Sequence, residues 1–378
     1  MKILITTGSW SAALVVMKSL AQKGCQSYLL DFDSYCAGFR SRYCSGGIVT
    51  PRESDKAGYV DALIKIISAQ KFDLLIPTSD HTMEFLSEER GRIEPFTKMF
   101  LPSRDLISLA RFKDRAYRFM LEHDIPIPKT HFPQSIADVE HLADNVSYPC
   151  VVKKPRGSAN KGNAYFNSKK GLVDYYRGLE SKDLWPVIQE FVEGDFYGLT
   201  ALAWDGEIVD CFMYTSSQEY ALNGTPPYGI SVVNEDLLGK AAKLFRLLKW
   251  NGMINLDFIK GKDGEFKFLE INPRFPGSLD FAYAVGVDFP SAYLDFAFGK
   301  TDARFKGFSY KPGVKFRFVL SEIIYTLRNK KNLPALLVNS FNPFLKTDLP
   351  WDDPKLFTWR LKHVWWYWRD KRHLPDKV

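Results

Sequence analysis

Two carboxylates, an amide and an arginine lie close together near residue 270 of this 378-residue chain. Side chains alternate between the faces of a strand, so Glu270, Asn272 and Arg274 share one face. A glycine turn before them predicts a hairpin that brings Asp257 alongside. Carboxylate and amide oxygens suit Mg²⁺, and a nearby arginine can bind a phosphoryl group. The pattern predicts a magnesium and phosphate site; the alternative is a solvated hairpin face.

Three upstream segments add a second kind of chemistry. A buried strand ends at Lys153 and Lys154, and residues 156–162 follow it as a loop of small residues. Backbone N–H groups of such a loop can cover phosphates. The third segment, 187–195, is typical of an edge strand that leaves a sheet through an acidic hinge. The order is therefore a lysine strand, a glycine loop, a hinge and paired metal ligands.

This order of motifs resembles the ATP-grasp superfamily over about residues 105–301. Within that superfamily the chain is most similar to carboxylate–amine ligases related to carbamoyl phosphate synthase, a group that includes the pyrrolysine-pathway ligase. The resemblance implies ATP and Mg²⁺ as cofactors, with Mn²⁺ as a substitute for Mg²⁺. It also implies an ADP-forming enzyme that joins a carboxylate to an amine in an amide or peptide bond.

The resemblance further implies a role for each site residue. The expected catalytic residues are Arg274 and Lys153, whereas Lys154 is expected to face solvent. Metal binding is expected from Asp257, Glu270 and Asn272. Nucleotide binding is expected from Lys113, Lys153, Gly157, Ser158, Gly162, Glu190, Phe191, Val192 and Asp195. Of these, the two lysines would bind phosphates, and the hinge at 190–192 would recognise adenine.

One position departs from the family pattern. The acidic residue that holds the ribose hydroxyls often lies two places after the hinge glycine, where this chain has Phe196. Asp195, one place after Gly194, is then the candidate for the ribose contact. The alternative is that Asp195 is only a turn residue.

Charge determines the expected mechanism. A carboxylate and the γ-phosphate are both anionic, so phosphoryl transfer between them needs positive charge placed beforehand. Mg²⁺, Lys153 and Arg274 would supply that charge and allow an acyl phosphate and ADP to form. An amine would then displace phosphate. Because water destroys an acyl phosphate, the site must close, and residues 156–162 are the expected lid.

The elements that position these residues begin with alternating strands and helices. The expected strands are 2–5, 26–31 and 72–76. Helices are expected after Ser11 and Ser54, and this alternation predicts a parallel sheet with helices on both faces. The turn at 8–13 lacks the GxGxxG of a dinucleotide-binding fold and contains bulky Trp10. NAD binding is therefore not expected.

The predicted fold class is α/β and α+β. A parallel-sheet domain of the kind that precedes ATP-grasp folds is followed by a two-subdomain ATP-grasp fold and an aromatic, basic C-terminal extension. The expected boundaries are 1–104 for the first domain, 105–193 for the linker helix and lid subdomain, 194–310 for the catalytic subdomain with the metal site, and 311–378 for the extension.

The composition is that of a globular protein, with 46% hydrophobic and 25% charged residues. No apolar run reaches the length of a membrane span. The five cysteines and six histidines show no metal-binding spacing. These features predict a cytoplasmic protein with reduced thiols. The net charge of +7 fits an anionic small molecule or a membrane surface as well as nucleic acid.

The expected partners are small carboxylate and amine substrates of an amino-acid-like kind. No nucleic-acid partner is expected, and a homodimer is an open alternative. Three alternatives to a ligase also stay open: a biotin-dependent carboxylase, an ATP-binding regulatory module and a peripheral membrane protein.

The segment 355–373 is basic and aromatic. If it forms a helix, Trp365 and Trp368 fall on one apolar face. Such a helix either docks on its own domain or lies at the inner membrane surface, where its cations meet anionic lipid.

Overall fold

The computed structural model describes residues 1–156, 162–179, 185–217, 226–302, 304–328, 330–342, 345–359 and 362. Three β-sheets follow one another along the chain, and each carries its own helices.

The first sheet is parallel and orders its four strands β3-β2-β1-β4. The strands are β1 (Lys2–Ile5), β2 (Gln26–Asp31), β3 (Cys44–Val49) and β4 (Leu74–Ile76). The helices are α1 (Ser11–Gln22), α2 (Lys56–Ala69), α3 (Asp80–Glu88) and α4 (Arg90–Ile93). Side chains of β1 alternate, so Ile3 and Ile5 pack against α1 while Leu4 packs against α2 and α3. The predicted parallel sheet with helices on both faces is confirmed.

Strand β3 was not expected, because Gly46 and Gly47 are weak strand formers. The structure supplies a reason for both glycines. A Cβ atom on Gly46 would contact the Tyr28 ring too closely, and one on Gly47 would overlap the ring of Phe39. The absence of side chains lets these rings pack flat against the strand.

The second sheet is antiparallel and orders its strands β5-β8-β6-β7. The strands are β5 (Thr130–His131), β6 (Cys150–Lys153), β7 (Asn163–Phe166) and β8 (Val187–Glu190). The helices that lead into it are α5 (Arg104–Arg111) and α6 (Lys113–Glu122), and those on its apolar face are α7 (Ile136–Leu142) and α8 (Lys169–Arg177). The expectation that the segment 187–195 is an edge strand is wrong, because β5 pairs with β8 and covers it.

The third sheet has seven strands in the order β13-β12-β9-β10-β11-β14-β15. The strands are β9 (Gly194–Trp204), β10 (Glu207–Ser217), β11 (Tyr228–Ser231), β12 (Gly252–Gly261), β13 (Phe266–Asn272), β14 (Lys315–Arg317) and β15 (Lys346–Thr347). The helices are α9 (Glu235–Leu248), α10 (Leu279–Ala284), α11 (Phe289–Ala297), α12 (Val319–Arg328) and α13 (Leu333–Ser340). All neighbouring strands are antiparallel except β14 and β15. The predicted α/β and α+β class is therefore confirmed.

One apolar core joins the first and third sheets. Helix α1 packs in the same buried cluster as α10 and α11. Polar contacts border this core: Ser19 donates to Asp288 at 2.6 Å, and Lys23 pairs with Asp295 at 2.9 Å. Helix α1 thus packs against the first sheet on one side and against α10 and α11 on the other, and so links the first and third sheets.

Within the described ranges, no helix combines the length and the apolar character needed to cross a bilayer. The predicted helix around Trp365 and Trp368 lies outside the described residues.

Candidate active site

The β12–β13 hairpin presents four polar side chains on one face. Its register sets Asp257 opposite Glu270 and Asn255 opposite Asn272. Asn255 donates to one oxygen of Asp257 at 2.9 Å, and Asn272 donates to the other at 3.2 Å. Thr200 on β9 donates in turn to the amide oxygen of Asn255 at 2.9 Å. The structure thus brings together the three predicted metal ligands and adds a network that orients Asp257.

Asp257 faces a second carboxylate, Glu270, across the hairpin. Burial and the neighbouring charge of Glu270 raise the pKa of Asp257 to about 7. Carboxylates placed this close repel one another, and a divalent cation between them relieves that repulsion. Two carboxylates and an amide form the hard oxygen donor set that Mg²⁺ takes. The residues therefore fit a magnesium ion.

Two lysines reach the same face from separate elements. Lys113, the first residue of α6, forms an ion pair with Glu270. Lys153, the last residue of β6, donates to the hydroxyl of Tyr117 at 3.0 Å, and that hydroxyl donates to the Leu269 carbonyl at 2.7 Å. Burial and the charge of Lys113 lower the pKa of Lys153 to about 7. An anionic phosphate would favour the charged form of Lys153 again, so both lysines fit a nucleotide phosphate.

Arg274 lies at the other end of the hairpin face and is buried. Its Nη2 atom lies 3.3 Å from the amide oxygen of Asn272 and donates to it. Its Nε atom lies 3.1 Å from a carboxylate oxygen of Asp80, at the start of α3. The predicted catalytic arginine is thus held between the β12–β13 hairpin and the helix that follows the first sheet.

The predicted adenine hinge follows β8. The carboxylate of Glu190 accepts a hydrogen bond from the Lys129 backbone at 2.9 Å, so its side chain fastens the hinge to the linker. The N–H of Phe191 donates to the Pro149 carbonyl at 3.3 Å, and Val192 is half-buried beside it. Asp195 is exposed and lies within β9, not in a turn.

The predicted phosphate loop falls partly outside the described residues, which exclude Gly157 and Ser158. Gly162 closes the loop with a positive φ of 91°, a conformation that favours glycine. Its carbonyl accepts a hydrogen bond from the Lys154 backbone at 3.3 Å. The side chain of Lys154 is exposed, as expected from strand alternation.

Sequence reasoning missed two residues that hold this site. Tyr117 lies four residues after Lys113, so helical spacing puts both side chains on one face of α6. Asp80 follows the carboxyl end of a parallel strand, the edge where ligands of open α/β sheets bind. Both signals were present in the sequence.

Known proteins that are similar in sequence to this chain include two ligases. The D-alanine–D-alanine ligase of Pseudomonas fluorescens (strain Pf0-1) is 25% identical over 198 residues, which is 47% of this chain and 60% of that protein. A probable alpha-L-glutamate ligase of Shewanella halifaxensis (strain HAW-EB4) is 26% identical over 232 residues, covering 59% of this chain and 49% of the relative. Neither match reaches two thirds of the relative's own length.

Among solved structures, the biotin carboxylase of Campylobacter jejuni in a β,γ-ATP complex superposes with a TM-score of 0.67 at 16% identity. The superposition covers 83% of this chain and 74% of the carboxylase. At that identity it shows the shared fold.

A family model described as "ATP-grasp in the biosynthetic pathway with Ter operon" matches residues 188–315. That range holds the hinge after β8, the strand β9 and the whole β12–β13 hairpin. The matched residues, the shared fold and the convergence of lysines on the hairpin agree: the chain has the ATP-grasp fold, and its residues 188–315 are similar to that family.

Proposed function

We propose that this protein is an ADP-forming carboxylate–amine ligase. The observation that carries the proposal is the convergence of Lys113, Lys153 and Arg274 on a face that also holds Asp257 and Glu270. Such a face binds the phosphates of a nucleotide and stabilises the charge that moves during phosphoryl transfer. The two curated relatives are named for joining amino acids, which supports a ligase reaction.

The reaction has two steps. A carboxylate oxygen of the first substrate attacks the γ-phosphorus of ATP, the bond to the bridging oxygen breaks, and ADP leaves with that electron pair. The amine nitrogen then attacks the acyl carbon, phosphate departs with the bonding electrons, and the nitrogen loses a proton. Lys113 and Lys153 bind the phosphates during the first step, while Arg274 stabilises charge on the transferred group.

Mg²⁺ would be held by Asp257, Glu270 and Asn272, where it supplies positive charge to the phosphate oxygens. Mn²⁺ has the same oxygen preference and would substitute for it. The backbone at 190–192 would bind adenine, and Asp195 the ribose. The loop at 156–162 would then exclude water from the acyl phosphate.

We also propose a substrate class, a location and an assembly state. The carboxylate and the amine are amino-acid-like, the protein acts in the cytoplasm, and a homodimer is one assembly open to it. The domain boundaries proposed are 1–104, 105–193, 194–310 and 311–378.

We also propose that the C-terminal extension contacts an anionic membrane surface. Helix α13 exposes Leu337, Val338 and, just beyond its end, Phe341, which is 84% exposed. Lys330 and Lys331 precede α13 and are exposed as well. Exposed apolar side chains beside cations are typical of surfaces that bind anionic lipid, and the aromatic sequence at 365–368 has the same character.

Hydroxylamine trapping tests the ligase proposal. ATP, Mg²⁺ and a panel of amino acids and small carboxylates are incubated with the full chain and hydroxylamine. We expect one carboxylate to give a hydroxamate together with ADP and phosphate, because hydroxylamine intercepts an acyl phosphate.

Three results contradict it. Release of AMP and pyrophosphate excludes the phosphoryl-transfer step, and ADP release that depends on bicarbonate alone favours a carboxylase. Tight nucleotide binding without turnover by any pair of substrates favours a regulatory module.

A further inference from the structure

Five side chains of alternating charge run in a row from Arg274 in the candidate site to Arg156. Arg274 contacts Asp80 through Nε at 3.1 Å and Nη2 at 3.3 Å. Arg111 lies 3.6 Å from Asp80 and 3.6 Å from Glu84. Arg156 donates to the other oxygen of Glu84 at 2.7 Å. Each carboxylate therefore lies between two arginines.

Both carboxylates belong to α3, which follows the first sheet. Asp80 and Glu84 are one helical turn apart and share one face of the helix. The side chains of Asp80, Arg111 and Arg274 are each 8% exposed or less. Although burial alone would raise the pKa of Asp80, Arg274 and Arg111 outweigh burial and lower it. Asp80 is therefore a buried anion, whose removal would leave two buried cations uncompensated.

The two ends of this row of five charged side chains lie at different parts of the candidate site. At one end, Arg274 donates to Asn272, a proposed metal ligand. At the other end, Arg156 stacks over Phe112, with its guanidinium carbon 4.4 Å from the ring centre. The backbone N–H of Lys113, next after Phe112, donates to the Pro155 carbonyl at 3.0 Å. One helix of the first unit thus contacts both Arg274 and Arg156.

We propose that Asp80 and Glu84 are positioning residues of the ligase site. Asp80 holds Arg274 in the direction of the transferring group, and Glu84 holds Arg156 against Phe112, the residue before the proposed phosphate-binding Lys113. Neither carboxylate touches the nucleotide, so each acts through the arginine that it binds. This inference rests on the proposed function and assigns to the N-terminal unit a part in catalysis.

If these five side chains only stabilise the fold, the expected kinetic effects are different. Loss of either carboxylate would then lower stability and scale all kinetic constants together with the folded fraction. Positioning predicts a split, because Arg274 acts on the transition state, whereas Arg156 supports Phe112 and the neighbouring Lys113, which acts on nucleotide binding. We expect Asp80→Asn to lower kcat roughly 10- to 100-fold, as loss of an orienting contact does, with the KM for ATP little changed. Glu84→Gln should chiefly raise the KM for ATP.

A double-mutant cycle shows whether Asp80 acts through Arg274. In the Arg274→Ala background, Asp80→Asn should lower kcat by no more than about twofold, since residues that act as a unit are not additive. Losses that multiply would overturn the proposal. The matched control is Glu88→Gln. Glu88 lies on the same helix, and this substitution removes its ion pair with Lys56 while the five charged side chains stay unchanged. Its kcat and KM should equal those of the wild type.

A second measurement needs no turnover. In the full chain labelled with ¹⁵N-arginine, the Nε–H signal of Arg274 is identified by its loss in Arg274→Lys. That signal should be sharp in the wild type and in Glu88→Gln, and should broaden or shift in Asp80→Asn. An unchanged signal overturns the positioning role, and so does a changed signal with unchanged kcat.

The two proposals fail in different ways. A wild-type chain that makes neither ADP nor hydroxamate overturns the proposed function, whatever the Arg274 signal does. Should Asp80→Asn not fold, Glu84→Gln decides the matter, because its side chain is more accessible and its expected effect is on the KM for ATP. An unchanged KM in Glu84→Gln then overturns the proposal.

Discussion

Glu270 pairs with one side chain and faces another. Its carboxylate now pairs with Lys113, and it faces Asp257 across the hairpin. In the proposed function this side chain binds a lysine and completes the metal site, so it would couple the binding of cation and nucleotide, because both need the same charge in place. Its negative charge should therefore matter more than its shape.

The substitution Glu270→Gln separates charge from shape. The amide oxygen can still accept from Lys113, but the metal site loses one of its two carboxylates. We expect turnover to fall on the order of 100-fold or more and the Mg²⁺ concentration for half-maximal rate to rise. Steady-state kinetics across a Mg²⁺ titration measures both.

Glu265→Gln is the control for this prediction, because Glu265 is exposed on the same hairpin. It should leave the Mg²⁺ dependence unchanged. Normal turnover of Glu270→Gln at low Mg²⁺ would contradict the metal assignment.

At this scale, the local part of the site was predictable and the distant part was not. Strand alternation and a glycine turn suffice to bring Asp257, Glu270 and Asn272 together. No local pattern pairs Arg274 with Asp80, because 194 residues separate them and their contact depends on how the first sheet packs against the third.

Among the elements, the joint between the hinge and β9 is the most constrained. Gly194 begins β9 and pairs with Gly261 at the end of β12. A Cβ atom on Gly194 would overlap the backbone carbonyl of Lys260. The two strands can pair at this joint only because the position has no side chain.

Gly194→Ala should therefore destabilise the protein. We expect the free energy of unfolding to fall by about 1–3 kcal/mol, the usual cost of forcing atoms into a packed backbone. Urea unfolding of the full chain, followed by circular dichroism, measures the change.

The matched control is Gly239→Ala in helix α9, where a Cβ atom would meet nothing within 4 Å. That variant should be as stable as the wild type or gain up to about 1 kcal/mol, since alanine favours helix. Equal stability of the two variants would contradict the account of the joint.

The sequence was informative about elements with regular patterns. Helices α1 (Ser11–Gln22) and α2 (Lys56–Ala69) begin where helices were expected, since their apolar spacing is a local signal. Strand β3 was missed because its glycines are explained by the rings of Tyr28 and Phe39, which come from elsewhere in the fold. The prediction that β8 is an edge strand was wrong, because the two-residue strand β5, which pairs with it, is too short to have a pattern of its own.

The whole molecule combines a closed core with an exposed apolar surface at its C-terminal end. On α13, Leu337 and Val338 are 54% and 70% exposed, although helices of a packed domain ordinarily bury such residues.

Flotation with vesicles tests the membrane proposal. We expect the full chain at low salt to float with vesicles that contain phosphatidylserine and not with pure phosphatidylcholine, because cations and aromatics act together at an anionic interface. The double substitution Trp365→Ser and Trp368→Ser should abolish flotation while the circular dichroism spectrum is retained.

Tyr35→Ser serves as the control, because Tyr35 is an exposed aromatic in the first unit, 69% accessible. It should float like the wild type. A wild-type protein that stays in the soluble fraction with phosphatidylserine vesicles would show that the extension docks elsewhere.

The core shared by α1, α10 and α11 limits how this protein can be re-engineered or can have diverged. A transplant of residues 1–104 from a relative, intended to alter substrate choice, would present a foreign α1 to the surfaces of α10 and α11. Ser41 and Tyr43 would also lose Asp353 and Asp352, their partners near the opposite end of the chain. Viable chimeras must therefore exchange three distant stretches together: residues 1–104, helices α10 and α11, and the segment that contains Asp352 and Asp353. Substitutions in those stretches should be inherited as a set.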